Sequence, residues 1–308
     1  MNTNFARPGR TAMALLATAM LACAAAPAWA ADAMKADVAS LPGVAFNQAL
    51  ADKLPAAIKS AGIMKVATDL TPPISFHDES GALVGIDADL AAAVGTILGL
   101  KVEMTDLGMG SAIVPSILAK RYDISISGIN DDPDLEKQVD VIDYMFDATT
   151  IMTQKGNPLK VTDMASLCGK KVAVPVGTFQ EKMVEAASAK CATGSISIMT
   201  IPKMPDVLQA VRTGRADATV NGYATSVYTT AHQTGNGTGL EALPEVRLAV
   251  GYLGMLTNKS EPEFRDAFVA ALQQLVDSGA YKTIMTKWNL APLAVEKVKF
   301  NDAASMPS

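Results

Sequence analysis

The sequence predicts an α/β protein of two lobes, built on mixed sheets and joined by two extended hinge crossings. Three observations predict it. Short alternating strands recur between amphipathic helices from about residue 63 to residue 288, the pattern of parallel or mixed sheets covered on both faces. The series runs twice, and extended segments at 148–155 and 247–250 separate the two runs. The chain of 308 residues, 49% of them hydrophobic, suits one large or two medium cores. On this pattern, residues 31–151 form the first part of lobe I. Residues 152–249 form lobe II, and 250–308 return to lobe I and end in a polar tail.

Residues 1–30 read as a targeting segment. Arg7 and Arg10 supply positive charge, 11–26 is an apolar core, and Ala28-Trp29-Ala30 is a small-residue cleavage site. The apolar core is shorter than the ~20 residues a membrane span needs. Cys23 is a weaker, lipidation reading, because Met20 stands where leucine is preferred. Cleavage removes two arginines and no acid, so the exported chain is more negative than the −5 of the whole sequence. That balance, without a basic run, gives no support to nucleic-acid binding. The expected location is the periplasm. There, the two remaining cysteines, Cys168 and Cys191, are expected to form a disulfide. His77 and His232 stand alone and no Cys/His spacing suits a metal, so no metal and no cofactor are expected.

The elements follow in order. A helix near 46–59 precedes a strand at 65–68, which Thr71, Pro72 and Pro73 break. Residues 85–99 form an amphipathic helix with Leu90, Val94, Ile97 and Leu98 on one face. A strand at 101–104 and a helix at 111–120 lead to an alternating strand at 122–127 and a turn at 128–131. Asp132 then caps a new helix, with Pro133 at its first position. In lobe II, strands at 171–176, 195–201 and 217–220 alternate with helices at 179–189, 205–213 and 223–232, and 234–239 is a flexible loop. A strand at 253–257 and helices at 262–277 and 281–288 finish the series. Ligands bind such folds at the carboxyl ends of strands. Ser127, Gly128 and Asn130 stand at such an end in one lobe, and Gly177, Thr178 and Phe179 in the other. Hinge motion would close the two on a small molecule.

Several motifs carry a family resemblance. They are Gly81-Ala82-Leu83-Val84-Gly85-Ile86-Asp87-Ala88-Asp89-Leu90-Ala91; Ile113-Val114-Pro115-Ser116-Ile117-Leu118 with Asp123; and Lys137-Gln138-Val139-Asp140 before Tyr144. Leu167-Cys168-Gly169-Lys170-Lys171-Val172-Ala173-Val174 with Gly177-Thr178 follows, then Gly214-Arg215-Ala216-Asp217-Ala218, and Gly279-Ala280-Tyr281 with Lys287-Trp288. In this order they resemble the periplasmic solute-binding proteins of ABC transporters that carry polar amino acids, bacterial solute-binding protein family 3. The resemblance implies a Venus-flytrap fold and a monomer that captures a solute and delivers it to an ABC permease in the inner membrane, without catalysis. A dehydratase-type enzyme on the same fold and a sensor-type binding protein are the alternatives.

The departures from the family pattern bear on the ligand. Where the family carries an arginine for the ligand's α-carboxylate, this chain has Leu135, with Asp132 and Asn130 at the preceding polar positions. Asn221 falls where an acid usually holds the α-ammonium, and Thr71 and Gly110 fall where aromatic walls are common. Asp69 is retained. The first-lobe rim is therefore acidic, which favours an amine, a guanidino compound or a modified amino acid over a free carboxylate. An ordinary amino acid held by other groups is the alternative. The expected ligand-binding set is Asp69, Ser127, Gly128, Asn130, Asp132, Gly177, Thr178, Phe179 and Asn221.

Overall fold

The computed structural model describes Met1 and residues 38–233 and 239–305; the expected export segment and 234–238 of the expected flexible loop lie outside the described residues. In the first lobe, β1 (Ile63–Thr68) leads through a small hairpin, β2 (Phe76–His77) and β3 (Leu83–Val84), to the helix Ile86–Leu98 and β4 (Lys101–Asp106). A 3-10 turn and the helix Ile113–Leu118 follow, then β5 (Ile124–Asn130). β1 lies between β4 and β5, parallel to both. The helix buries Leu90, Val94, Ile97 and Leu98, the face its periodicity predicts. Gly85 precedes it at φ 128°, where a Cβ would come within 2.3 Å of the Ile74 carbonyl oxygen, so only glycine fits.

The two acids of the Gly-Ile-Asp-Ala-Asp motif have structural partners. Asp89 accepts from the Trp288 indole Nε1 at 2.7 Å and pairs with Lys287 Nζ at 3.0 Å. Asp87 accepts from the Tyr144 hydroxyl at 2.8 Å, and Tyr281 in turn donates to the Tyr144 carbonyl at 2.6 Å. Both acids thereby tie the helix to the far end of the chain. Burial pushes Asp87 up to about 8.

β6 (Asp140–Gln154) is one strand of 15 residues. Lobe II then supplies β7 (Lys171–Pro175), the helix Phe179–Ser188, β8 (Ser197–Ile201), the helix Met204–Arg212, β9 (Ala218–Gly222), the helix Tyr223–Ala231 and β10 (Leu240–Ala242). β11 (Leu248–Thr257) returns antiparallel to both β5 and β6. The resulting order, β4-β1-β5-β11-β6-β9-β7-β8, is a single mixed sheet. It is continuous because β6 pairs with β11 along one half and with β9 along the other. The cores nevertheless separate. Leu90, Val94, Phe264, Phe268 and Tyr281 belong to one cluster. In the second lobe Ile151, Val172 and Val174 belong to one cluster and Met152 and Ala173 to another, the period of two expected of a sheet covered on both sides.

Three local expectations are corrected. Residues 294–300 are not tail but β12 (Ala294–Phe300), paired with β6. Val295 and Val298 are its buried residues, and the charged residues between them mask the pattern. The turn expected at 128–131 is the end of β5. Met255 pairs with Ile126 and Gly254 with Ile129, so Ser127 and Gly128 form a bulge, with Gly128 at φ 59°. The helix near 46–59 is two short ones, Gln48–Ala51 and Ala56–Ala61, with Pro55 between them.

Cys168 and Cys191 form a disulfide across a sequence separation of 23. It ties the segment before β7 to the end of the helix Phe179–Ser188. Closing a loop of this size contributes on the order of 3 kcal/mol through the unfolded chain. The reduced protein is therefore expected to unfold at lower urea, with its midpoint restored on reoxidation. A midpoint indifferent to reductant would refute the stabilising role.

Candidate functional site

A cavity of about 560 Å³ lies between the lobes. The five first-lobe residues expected from sequence, Asp69, Ser127, Gly128, Asn130 and Asp132, all line it. The four from the second lobe, Gly177, Thr178, Phe179 and Asn221, line it too. Local structure explains their positions. The β5 bulge turns Ser127 and Gly128 out of the ladder at the cavity wall, and Ser127 Oγ lies 3.0 Å from Ser125 Oγ. Asp69 follows the carboxyl end of β1, and its Oδ1 accepts from the Leu70 N–H at 2.8 Å. Burial raises its pKa, nearby Asp106 adds to the rise, and Lys203 opposes it. Gly110 packs against it: a Cβ there would sit 3.1 Å from Asp69 Oδ2.

Asp132 has two roles. Its Oδ1 accepts from the Asp134 and Leu135 N–H groups at 2.8 and 3.0 Å, capping the helix Pro133–Glu136, while Oδ2 lies 4.0 Å from Lys182 Nζ of the second lobe. Beside it the Gln180 amide donates to Asn130 Oδ1 at 3.0 Å. Phe76 of lobe I and Tyr228 of lobe II also meet, ring centres 5.9 Å apart. The lobes are thus in contact across the cavity. Leu135 is buried beside Ile113, Ile117 and Val139, so an apolar side chain occupies the place where the family resemblance sets an arginine.

On the second lobe, the Thr178 hydroxyl donates to the Pro175 carbonyl at 2.8 Å and accepts from the Glu181 N–H at 3.3 Å. It caps its helix, and the Gly177 N–H donates in turn to Glu181 Oε2, so both ends of this turn are tied to the helix start. Asn221 is 2% exposed, and its amide nitrogen meets no acceptor among the described residues.

The sequence pattern does not single out Asp147, which the structure places in this cavity. It is 4% exposed, on the part of β6 between the two lobes. Its Oδ1 accepts from the Ala224 N–H, 3.2 Å away at the start of the helix Tyr223–Ala231. Its Oδ2 lies 2.7 Å from where a Cβ of Gly222 would stand, so the bare glycine makes room for the carboxylate. Burial pushes Asp147 up to about 6, against the pull of the backbone N–H groups of Ala148, Ala224 and Tyr223 and of nearby Arg247. Asp147 is one of three acids in β6, with Asp140 and Asp143, and nothing local distinguishes it from the other two. Gln180 and Lys182 were hidden as well, on an unremarkable helix face. Among the described residues the charged lining comprises Asp69, Asp132 and Asp147 against one cation, Lys182. No group of three or more His, Cys, Asp or Glu that could hold a metal occurs among the described residues, and no helix there is long and apolar enough to cross a membrane.

The fold and sequence are similar to those of known proteins. The arginine-binding protein ArgT of Corynebacterium glutamicum is 28% identical over 258 residues, 81% of each chain. An ancestral arginine-binding protein solved with arginine superposes at a TM-score of 0.67 with 28% identity, over 74% of this chain and 98% of that one. An ancestral amino acid-binding protein, described as a precursor of cyclohexadienyl dehydratase, reaches 0.67 with 30% identity, over 75% and 97%. The profile of the bacterial extracellular solute-binding proteins, family 3, matches residues 64–291. With a two-lobe fold, a cavity between the lobes and a family match over most of its length, the chain belongs to the bacterial extracellular solute-binding proteins of family 3.

Proposed function

We propose that this chain is the substrate-binding component of an ABC importer and takes a cationic small molecule, an amine or guanidino compound, between its lobes. One observation carries the choice of ligand: the deeply buried charged group of the cavity is the Asp147 carboxylate, joined in the lining by Asp69 and Asp132. A buried carboxylate whose hydrogen bonds come from backbone N–H groups, with Arg247 acting on it only through its charge, gains charge-assisted hydrogen bonds from an ammonium or guanidinium. Both ArgT and the ancestral neighbour are arginine-binding proteins by name, which supports a cation.

In this reading Asp147 and Asp69 hold the cationic group. Ser127, Gly128 and Asn130 hydrogen-bond the ligand from lobe I. The backbone N–H of Thr178 and the amide nitrogen of Asn221 offer donors from lobe II, while the Gly177 N–H donates to Glu181 Oε2. The hinges are the parts of β6 and β11 near 148–155 and 247–250, between a lobe I of 31–151 with 250–308 and a lobe II of 152–249. Residues 1–30 export the chain, and the closed form presents its ligand to a permease. A second reading, a zwitterionic amino acid such as arginine, is favoured by Lys182, which offers a cation to a ligand carboxylate in place of the missing arginine.

A thermal-shift panel tests the proposal. At ligand concentrations of 100 times Kd, binding contributes about 2.7 kcal/mol, a rise in Tm of roughly 5–10 °C. Arginine and agmatine are expected to produce it, while glutamate and aspartate are not. A preference for either acid would overturn the reading.

A further inference from the structure

We infer that the ligand carries a hydrocarbon arm and no free carboxylate beside it, because part of the cavity wall is a cluster of apolar side chains; this rests on the cation reading above. Besides its charged groups, the cavity reaches Val114, Leu118 and Leu135 of lobe I. Val114 and Leu135 pack in one apolar cluster, with Ile113 and Ile117 behind them. Leu118 is 47% exposed on the helix Ile113–Leu118, a large apolar side chain that the lobe's own core leaves uncovered. From lobe II, Phe179 lines the same cavity. It is only partly buried, and among the described residues it enters neither of the second-lobe cores.

Size and polarity point the same way. A cavity of about 560 Å³ falls in the range that encloses drug-sized molecules rather than a bare ammonium. A carboxylate placed against Leu135 and Val114 would lose its water to apolar side chains, and Lys182, the cation of the lining, already lies 4.0 Å from Asp132 Oδ2. An alkyl or aryl group there removes apolar surface from water on both sides of the cleft. Leu135 therefore does more than delete a carboxylate site. It completes an apolar stretch in a cavity that Phe179 also lines, and the occupant it fits is the carbon skeleton of an amine.

Calorimetry on the mature chain tests this with methylamine, butylamine, hexylamine and 4-phenylbutylamine, and with the pair arginine and agmatine, which differ by the carboxylate. Affinity is expected to climb about fourfold per added methylene from butylamine to hexylamine. 4-Phenylbutylamine should bind at least as tightly as butylamine, and agmatine more tightly than arginine. Leu118→Ser, at an exposed position that does not threaten folding, and Phe179→Ala should each flatten the climb. Equal affinity along the amine series, or arginine binding more tightly than agmatine, would overturn the inference and leave the cation reading standing. Binding of none of these cations would overturn both.

Discussion

Asp147→Asn is expected to lower the affinity for the best cationic ligand by about 100-fold at pH 7.5, while the protein stays folded. The estimate follows from the worth of a hydrogen bond to a charged group in a buried setting, roughly 1.5–3 kcal/mol, increased by the loss of net charge. The amide keeps the size of the side chain and an oxygen that can still accept from the Ala224 N–H, as Asp147 Oδ1 does at 3.2 Å. Stability should not suffer. Burial holds Asp147 at about 6, so at pH 7.5 the folded state carries a carboxylate less comfortably than the unfolded chain does. Removing that charge is expected to leave the ligand-free Tm unchanged or slightly higher. Calorimetry paired with a melting curve separates the outcomes: a lower Tm with unaltered binding would make Asp147 a structural residue only. In the unmutated protein the same group predicts a pH dependence. A cation needs the ionised carboxylate, so affinity should fall towards tenfold per pH unit below about pH 6.

The ligand-free protein is expected to be most stable in mild acid and to lose about 10 °C of Tm by pH 9. The cause is a set of buried carboxyl groups away from the cavity centre. Asp143 is fully buried, and neither its oxygens nor the buried oxygens of Asp131 meet a hydrogen-bond donor among the described residues. Each carboxyl group lies close enough to act on the other. Two neighbouring carboxylates repel, and burial together with the neighbouring negative charge raises both. Glu136 and Asp302 add negative charge nearby, and Lys299, whose ammonium pairs with Asp302, lies opposite Asp143 in the β12–β6 ladder. Asp87, at about 8, behaves alike.

The sign follows from linkage. A carboxyl group raised in the folded state binds a proton that the unfolded chain has already released, so it opposes folding increasingly as pH climbs from about 4 to the folded pKa. Asp143→Asn supplies an N–H donor to Asp131 and removes one charge. It is expected to flatten the Tm profile between pH 6 and 9. A variant with the steep profile intact would show that Asp143 does not set it. Because Asp131 sits between the cavity-lining residues Asn130 and Asp132, deprotonation at high pH should also loosen that wall.

The legibility of this protein in its sequence varies by kind of feature. Helix faces and buried strands were plain because their periods are local: Leu90, Val94 and Ile97 mark one side of a helix whatever surrounds it. So was the bond between Cys168 and Cys191, the pair left once Cys23 is set aside with the expected export segment. β12 was not plain, because Glu296, Lys297 and Lys299 outweigh two buried valines in any local measure. The bulge at Ser127 and Gly128 was hidden because it is a property of the ladder between β5 and β11 rather than of either strand.

The residues by themselves determined that strands and helices would alternate, that two series would form, that the cleft would lie at the ends of β5 and β7, and that leucine rather than arginine would stand at position 135. Only the tertiary structure decided which charges share that cleft. Asp147 and Gly222 are 75 positions apart, yet the pairing of β6 with β9 and the missing Cβ at Gly222 bring a carboxylate to the cavity, where burial changes its chemistry. A carboxylate's solvation and partners depend on groups distant in the chain, and no local pattern of residues encodes them.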